Sequence, residues 1–158
     1  QTDEITKQRM DLYRKTMSNS GFDDAHVAAA VDNTWVLRNI FIAETDAEAE
    51  RIGVPLFEEQ RVQRAKMRGH IMATRGESMA KPGETGAAPV AARNVIEHSL
   101  ICGSPATVAE RLAKIDAIGV GGVILQFRIG PAPYEQTENS IRLFMKKVAS
   151  EFKAKVAA

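Results

Sequence analysis

The last third of the chain alternates between two kinds of hydrophobic pattern. Short apolar runs at 99–102 and 120–127 have the length and β-branched content of strands. Each is followed by a longer segment whose apolar residues recur at spacings of three and four, as in amphipathic helices. Alternation of this kind predicts parallel strands joined by helical crossovers.

Local signals predict where the first of these helices begins and ends. Ser104 is a good N-cap, and Pro105 suits the first helical position because its missing N–H would be unpaired there anyway. Gly119 supplies the C-terminal stop. The apolar stripe between them consists of Val108, Leu112, Ile115 and Ile118.

A final helix follows Pro131 and Pro133, and Tyr134 is predicted to pack under it. Its apolar positions predict the buried side of the helix. They are Ile141, Phe144, Met145, Val148 and Phe152.

The first half of the chain predicts a helix over 3–18, a shorter helix capped by Asp23 or Asp24, and a strand within 35–45 that is buried on both faces. Thr45 and Asp46 can cap the next helix, which Gly53 and Pro55 are expected to interrupt before a second helical stretch over 56–73.

Residues 76–94 are rich in glycine, proline and alanine. A loop of this length inside a compact domain is usually disordered or forms a lid over a site. The fold class that these elements predict is α/β, with parallel strands, helices and a long lid-like insertion at about 76–94.

Composition narrows the possible functions. The formal net charge is +1, which gives no reason to expect nucleic acid or a membrane as partner. The basic residues between 61 and 75 share a helical segment with acidic ones and predict a solvated helix face.

The single cysteine suits a reducing cytoplasm, and the three histidines show no metal-ligand spacing. No run is long enough to predict a transmembrane helix. The chain starts at Gln1 rather than Met, so we expect it to be processed or cut from a longer protein.

The segment ICGSPATVAERLAKIDAIGVGGVILQF, with RIGPAPYE and SIRLFMKKVASEF after it, resembles the luciferase-like flavin-dependent monooxygenases. The earlier run RNIFIAETDAEAE is similar to the sixth strand of that family and the start of the helix that follows. The resemblance covers roughly residues 30–155. These motifs mark the family well and the substrate poorly.

The resemblance implies a partial TIM-type (β/α) barrel, because a complete barrel needs about 250 residues. All 158 residues would belong to the C-terminal part of one barrel domain, with segment 76–94 at the position of the family's mobile loop. The family's activity would require reduced FMN supplied by a flavin reductase, oxygen and a small organic substrate. A deazaflavin-dependent oxidoreductase on the same fold is a near alternative.

Four residues are candidates for a binding site. Arg38 interrupts an apolar strand and needs a partner there. It either faces the barrel mouth and holds an anionic flavin or substrate, or pairs with an acidic residue such as Glu44 or one in the missing half. Ser104 opens a helix and could help bind a cofactor phosphate, or could only cap its own helix. Gln126 and Arg128 close the last strand, where they either contact substrate or flavin or anchor the loop.

No catalytic residue can be assigned, and Cys102 is expected to be a packed, inert thiol. Two functions therefore stay open. One is the C-terminal portion of an FMN-dependent monooxygenase. The other is a non-catalytic half-barrel that pairs with a missing N-terminal half or with a second copy to cover its open sheet edges.

Overall fold

A computed structural model describes residues 2–76 and 99–155, so the predicted lid lies outside the described residues apart from Gly76. A 3₁₀ helix, Ala149–Lys155, ends the described part of the chain. The other elements are α1 (Asp3–Asn19), α2 (Asp24–Asp32), β1 (Trp35–Ile42), α3 (Asp46–Thr74), β2 (Leu100–Gly103), α4 (Pro105–Asp116), β3 (Gly122–Gln126) and α5 (Tyr134–Lys147).

The three strands of the described residues form one parallel sheet in the order β2-β1-β3. The predicted α/β architecture with parallel strands is therefore confirmed. The strand order differs from that of a TIM-type barrel, in which successive strands are neighbours. Here β2 pairs with the last residues of β1, from Asn39 to Ile42, and β3 pairs on the other side with Trp35 to Asn39.

Successive side chains of β1 point to opposite faces of the sheet, and each face has its own core. Ile40 and Ile42 belong to the core beneath α4 and α5, together with Ile101 of β2. Phe41 belongs to the core beneath α3, together with Leu100. We refer to these as the α4/α5 face and the α3 face.

The prediction that β1 is buried on both faces is wrong at its first residues. Trp35 is 58% exposed and Leu37 is 52% exposed, and Ile124, which pairs with Leu37 on β3, is also exposed. These three side chains lie on the α3 face, where no described residue buries them. We call them the bare sheet patch.

The predicted interruption at Gly53 and Pro55 is also wrong, because α3 runs through both residues as one helix. Gly53 is the point where the helix meets the sheet: a Cβ there would lie 2.9 Å from the ring of Phe41. Packing of Phe57 and Gln60, both buried, continues the same side of the helix beyond Pro55. Tertiary contact therefore outweighs the local breaking tendency.

The basic segment of α3 is solvated, as predicted. Arg61, Arg64, Lys66 and Arg68 are all exposed.

The last helix is confirmed, and its predicted buried side is right in part: Val148 is buried, and Phe144 and Phe152 pack against the core of the α4/α5 face. Ile141 and Met145 are exposed, and Tyr134 is 79% exposed rather than packed under the helix. Within the helix the fully buried residue is Ser140, which the apolar pattern does not predict. The hydroxyl of Ser140 explains this orientation, since its Oγ accepts a hydrogen bond of 2.8 Å from the N–H of Ile42.

Replacing Ser140 with alanine is expected to lower the free energy of unfolding by about 1–3 kcal/mol, because the buried N–H of Ile42 would lose its acceptor. Urea denaturation measures this change. Ser150→Ala, at an exposed position, is the control and should leave the stability within about 0.5 kcal/mol of the parent chain. Equal stability of the two variants would contradict the role given to Ser140.

Candidate functional site

The connections that leave β1 and β3 run over opposite faces of the sheet. β1 continues into α3 on one face, and β3 continues into α5 on the other. In open parallel sheets, neighbouring strands with this divergence leave a crevice at their carboxyl ends, which is the usual ligand site. The sheet topology therefore places a candidate site at the end of β1.

A cleft of about 860 Å³ lies at this position, between the first turns of α3 and the exposed side of α5. We call it the β1 cleft. Its apolar lining consists of Phe41, Ile42, Ala43, Ile52, Leu143 and Met145. Its polar lining consists of Glu44, Glu48, Gln136, Asn139, Arg142 and Lys146.

Two of the four charged groups in the lining are neutralised within the protein. Glu44 pairs with Lys147 through an Oε2–Nζ distance of 2.6 Å. Arg142 pairs with Glu138, one turn earlier on α5, also at 2.6 Å. Glu48 and Lys146 form no ion pair within residues 2–76 and 99–155, so they are the charges that the cleft offers to a ligand.

Gln136 adds an unsatisfied polar group to the lining. Its Oε1 is shielded from solvent and accepts no hydrogen bond from any described residue. A buried acceptor without a donor destabilises the unliganded protein by roughly 1–3 kcal/mol.

Arg38 lies elsewhere, on the α4/α5 face beneath α1. It is 7% exposed, and its Nη2 is 3.2 Å from Oδ1 of Asp3 and 3.4 Å from Oγ1 of Thr6. The structure thus shows Arg38 paired with an acidic residue, and that residue is Asp3 rather than Glu44. A role for Arg38 in flavin binding stays a prediction.

Ser104 caps α4, as predicted: its Oγ accepts from the N–H of Thr107 at 3.5 Å. The backbone N–H of Ser104 already has an anion, because it donates to Oδ1 of Asp46 at 2.6 Å. This bond, and a further one from the side chain of Thr107, hold the pKa of Asp46 below its ordinary value. The carboxylate of Asp46 therefore already lies at this helix start. The cofactor role of Ser104 stays a prediction.

Gly103 makes this contact possible. A Cβ there would lie 2.8 Å from Oδ1 of Asp46 and 2.7 Å from Cγ2 of Thr107. The sequence shows Asp46 only as a residue in the first turn of its own helix. Its contact with a helix start 58 positions away has no local signal.

Gln126 and Arg128 lie at the end of β3 and do not line the β1 cleft. The Nε2 of Gln126 donates to the backbone oxygen of Arg128 at 3.3 Å, which is a loop-anchoring contact. Arg128 is exposed. Their role in substrate binding stays a prediction.

Cys102 is partly buried in the core of the α3 face. Burial, followed by the negative charges of Glu50 and Asp46, raises the pKa of Cys102 to about 12. The thiolate is the reactive form of cysteine, so this environment agrees with the predicted inert thiol.

Cys102 is expected to react with iodoacetamide at pH 8 roughly a thousandfold more slowly than an ordinary thiol, because its thiolate fraction is smaller by about that factor. In urea the rate should return to the ordinary value. Mass spectrometry of the alkylated protein measures both rates, and fast labelling of the folded chain would contradict the assigned environment.

The same pKa predicts a dependence of stability on pH. Above pH 9.0, the ordinary value, the unfolded chain releases the thiol proton while the folded chain keeps it up to about 12. The unfolded state then binds fewer protons, so the stability falls as the pH rises. Cys102→Ala should remove that part of the alkaline slope.

No helix among the described residues is both long and apolar enough to cross a membrane.

Comparison with known proteins finds likeness in structure only. No family model matches the sequence, and no curated protein matches it. The structure is similar to that of monooxygenase RslO1 from Streptomyces bottropensis, with a TM-score of 0.66 and 21% sequence identity. The match covers 96% of this chain and 39% of that one, so the chain spans less than half the length of the structure it resembles. At this identity the comparison shows a shared α/β fold.

Proposed function

We propose that this chain contributes the substrate-binding wall of an oxidoreductase, a flavin-dependent monooxygenase that acts on a small organic substrate. Two observations support the proposal besides the resemblance of its sequence motifs. The fold is similar to that of a monooxygenase over 96% of the chain. A cleft with an apolar floor and a charged rim lies at the carboxyl end of the central strand, where parallel α/β folds bind their ligands.

The β1 cleft is the observation that carries this proposal. Apolar side chains from the end of β1 and from α5, such as Phe41 and Leu143, would bury the body of a substrate. Polar groups at the rim, such as Asn139 and Gln136, would fix its orientation. In a flavin enzyme the flavin supplies the oxidation chemistry, while the protein binds, orients and excludes water.

Three positions considered for the phosphate of FMN do not fit it: Arg38, the helix start at Ser104 and the β1 cleft. Arg38 is paired with Asp3, and the helix start at Ser104 is occupied by Asp46. In the β1 cleft a dianion would meet the carboxylate of Glu48 as well as the ammonium of Lys146. We therefore assign the β1 cleft to substrate and not to the phosphate of FMN.

Oxygen consumption tests the proposal. The complete gene product that carries this sequence is mixed with FMN, NADH and a flavin reductase, and oxygen uptake is followed while a panel of small organic substrates is added. Uptake above that of the reductase alone, dependent on one substrate, is expected. Uptake that never exceeds the reductase background, together with unchanged flavin fluorescence, would overturn the proposal.

A non-catalytic, self-associating module is the second candidate, and the bare sheet patch favours it. Trp35, Leu37 and Ile124 present an apolar surface, and β2 and β3 are both edge strands in the sheet of the described residues. Sedimentation of the chain with Leu37→Asp, against Leu12→Asp at an exposed position on α1, separates the two functions. Association lost only in Leu37→Asp, without flavin binding, would favour the module.

A further inference from the structure

We infer that the β1 cleft selects a substrate with two opposite charges at the ends of an apolar body. The inference rests on the proposed function in one respect, that the cleft is the substrate site. It adds the chemical class of the substrate, which neither the fold nor the comparison provides.

Two of the four charged side chains in the cleft already have partners within the protein. Glu44 and Arg142 are neutralised by Lys147 and Glu138. An external ligand would have to compete with contacts of 2.6 Å to reach either of them. Glu48 and Lys146 are different, since neither forms an ion pair within the part of the chain that the structure describes.

These two side chains come from opposite walls. Glu48 belongs to the first turn of α3, and Lys146 belongs to the last turn of α5. One wall therefore attracts a cation and the other attracts an anion. A ligand with a single charge satisfies one wall and is repelled by the other, whereas a ligand with a protonated amine and a carboxylate satisfies both.

The space between the two walls is apolar. Ile52 of α3 and Leu143 of α5 line it, as do Phe41 of β1 and Ala43, which directly follows that strand. A hydrocarbon body would displace water from this surface.

Three probes of equal chain length test the inference: ω-aminooctanoate, which carries both charges, octanoate, and octylammonium. Binding to the chain is measured by isothermal titration calorimetry without flavin, so that the result is independent of the oxygen assay. We expect ω-aminooctanoate to bind about threefold to tenfold more tightly than either singly charged probe. Higher ionic strength should reduce this preference.

Charge-neutral variants assign the two walls. Glu48→Gln should remove the advantage of ω-aminooctanoate over octanoate, and Lys146→Gln should remove its advantage over octylammonium. Glu59→Gln and Lys66→Gln, exposed on α3 and outside the cleft, are the matched controls and should change nothing. Circular dichroism confirms that each variant is folded.

Two results would overturn the inference. One is equal binding, or no binding, of all three probes to the folded chain. The other is a preference for ω-aminooctanoate that both cleft variants retain. Neither result bears on substrate-dependent oxygen uptake, so the proposed function and the substrate class can fail separately.

Discussion

Replacing Gly121 with alanine is expected to destabilise the fold by at least about 3 kcal/mol. A Cβ at this position would overlap the backbone carbonyl of Asp32, the last residue of α2. The N–H of Gly121 also donates to the backbone oxygen of Thr34 at 2.9 Å. Because backbone meets backbone, no side-chain rotation can relieve the overlap, and the start of β3 must move away from α2.

A loss of this size is a large fraction of the 5–15 kcal/mol that typically stabilises a domain. Thermal and urea denaturation should both show it, as a lower midpoint. Gly69→Ala is the matched control, since Gly69 lies inside α3 and a Cβ there would meet no atom within 4 Å. That control should stabilise the chain by roughly 0.5–1 kcal/mol. A Gly121→Ala variant as stable as the parent chain would contradict the close approach of α2 and β3.

The sequence predicts those parts of this fold that depend on neighbouring residues, and it misses those that depend on contacts between distant ones. Helix starts depend on neighbouring residues, so Ser104 and Pro105 predict the beginning of α4 correctly. Gly53 looks like a helix breaker for the same local reason, yet its function is to let α3 approach Phe41. That contact joins residues whose pairing no local pattern reveals, so the continuous helix could not be predicted.

The strand order could not be predicted for a related reason. Alternating strands and helices imply parallel pairing, but they do not say which strand is central. β1 has eight residues and is long enough to pair with β2 near one end and with β3 near the other. Only when their registers on β1 are known do the short lengths of β2 and β3 indicate that both can pair with β1.

The sequence did not predict the β1 cleft, since Arg38, Ser104, Gln126 and Arg128 all lie outside its lining. A guanidinium within an apolar strand needs a partner, and this reasoning was right for Arg38, although Asp3 is 35 positions away. Glu48 and Lys146 carry no motif, since each is an ordinary charged residue of an amphipathic helix. The sheet topology, which brings α3 and α5 to the same strand end, is what turns them into a site.

The pair of Arg38 and Asp3 is expected to respond asymmetrically to mutation. Asp3→Ala should lower the stability by about 2–4 kcal/mol, because it leaves the guanidinium of Arg38 buried beside only neutral acceptors. Arg38→Met removes the buried charge and keeps most of the side-chain volume. It should cost less than about 1.5 kcal/mol, since Asp3 retains Arg111 at 3.7 Å.

Urea denaturation of the two single variants and the double variant measures the coupling between these residues. The double variant should be about as stable as Arg38→Met alone, because Asp3 has little to stabilise once the guanidinium is gone. Glu4→Ala, also in the first turn of α1 but exposed, corrects for the effect of an acidic residue on the helix dipole. If Arg38→Met were instead the more damaging change, the guanidinium would be stabilised by more than Asp3. Thr6 and the backbone oxygen of Leu37, the other hydrogen-bond acceptors of the guanidinium, would then carry more of that stabilisation.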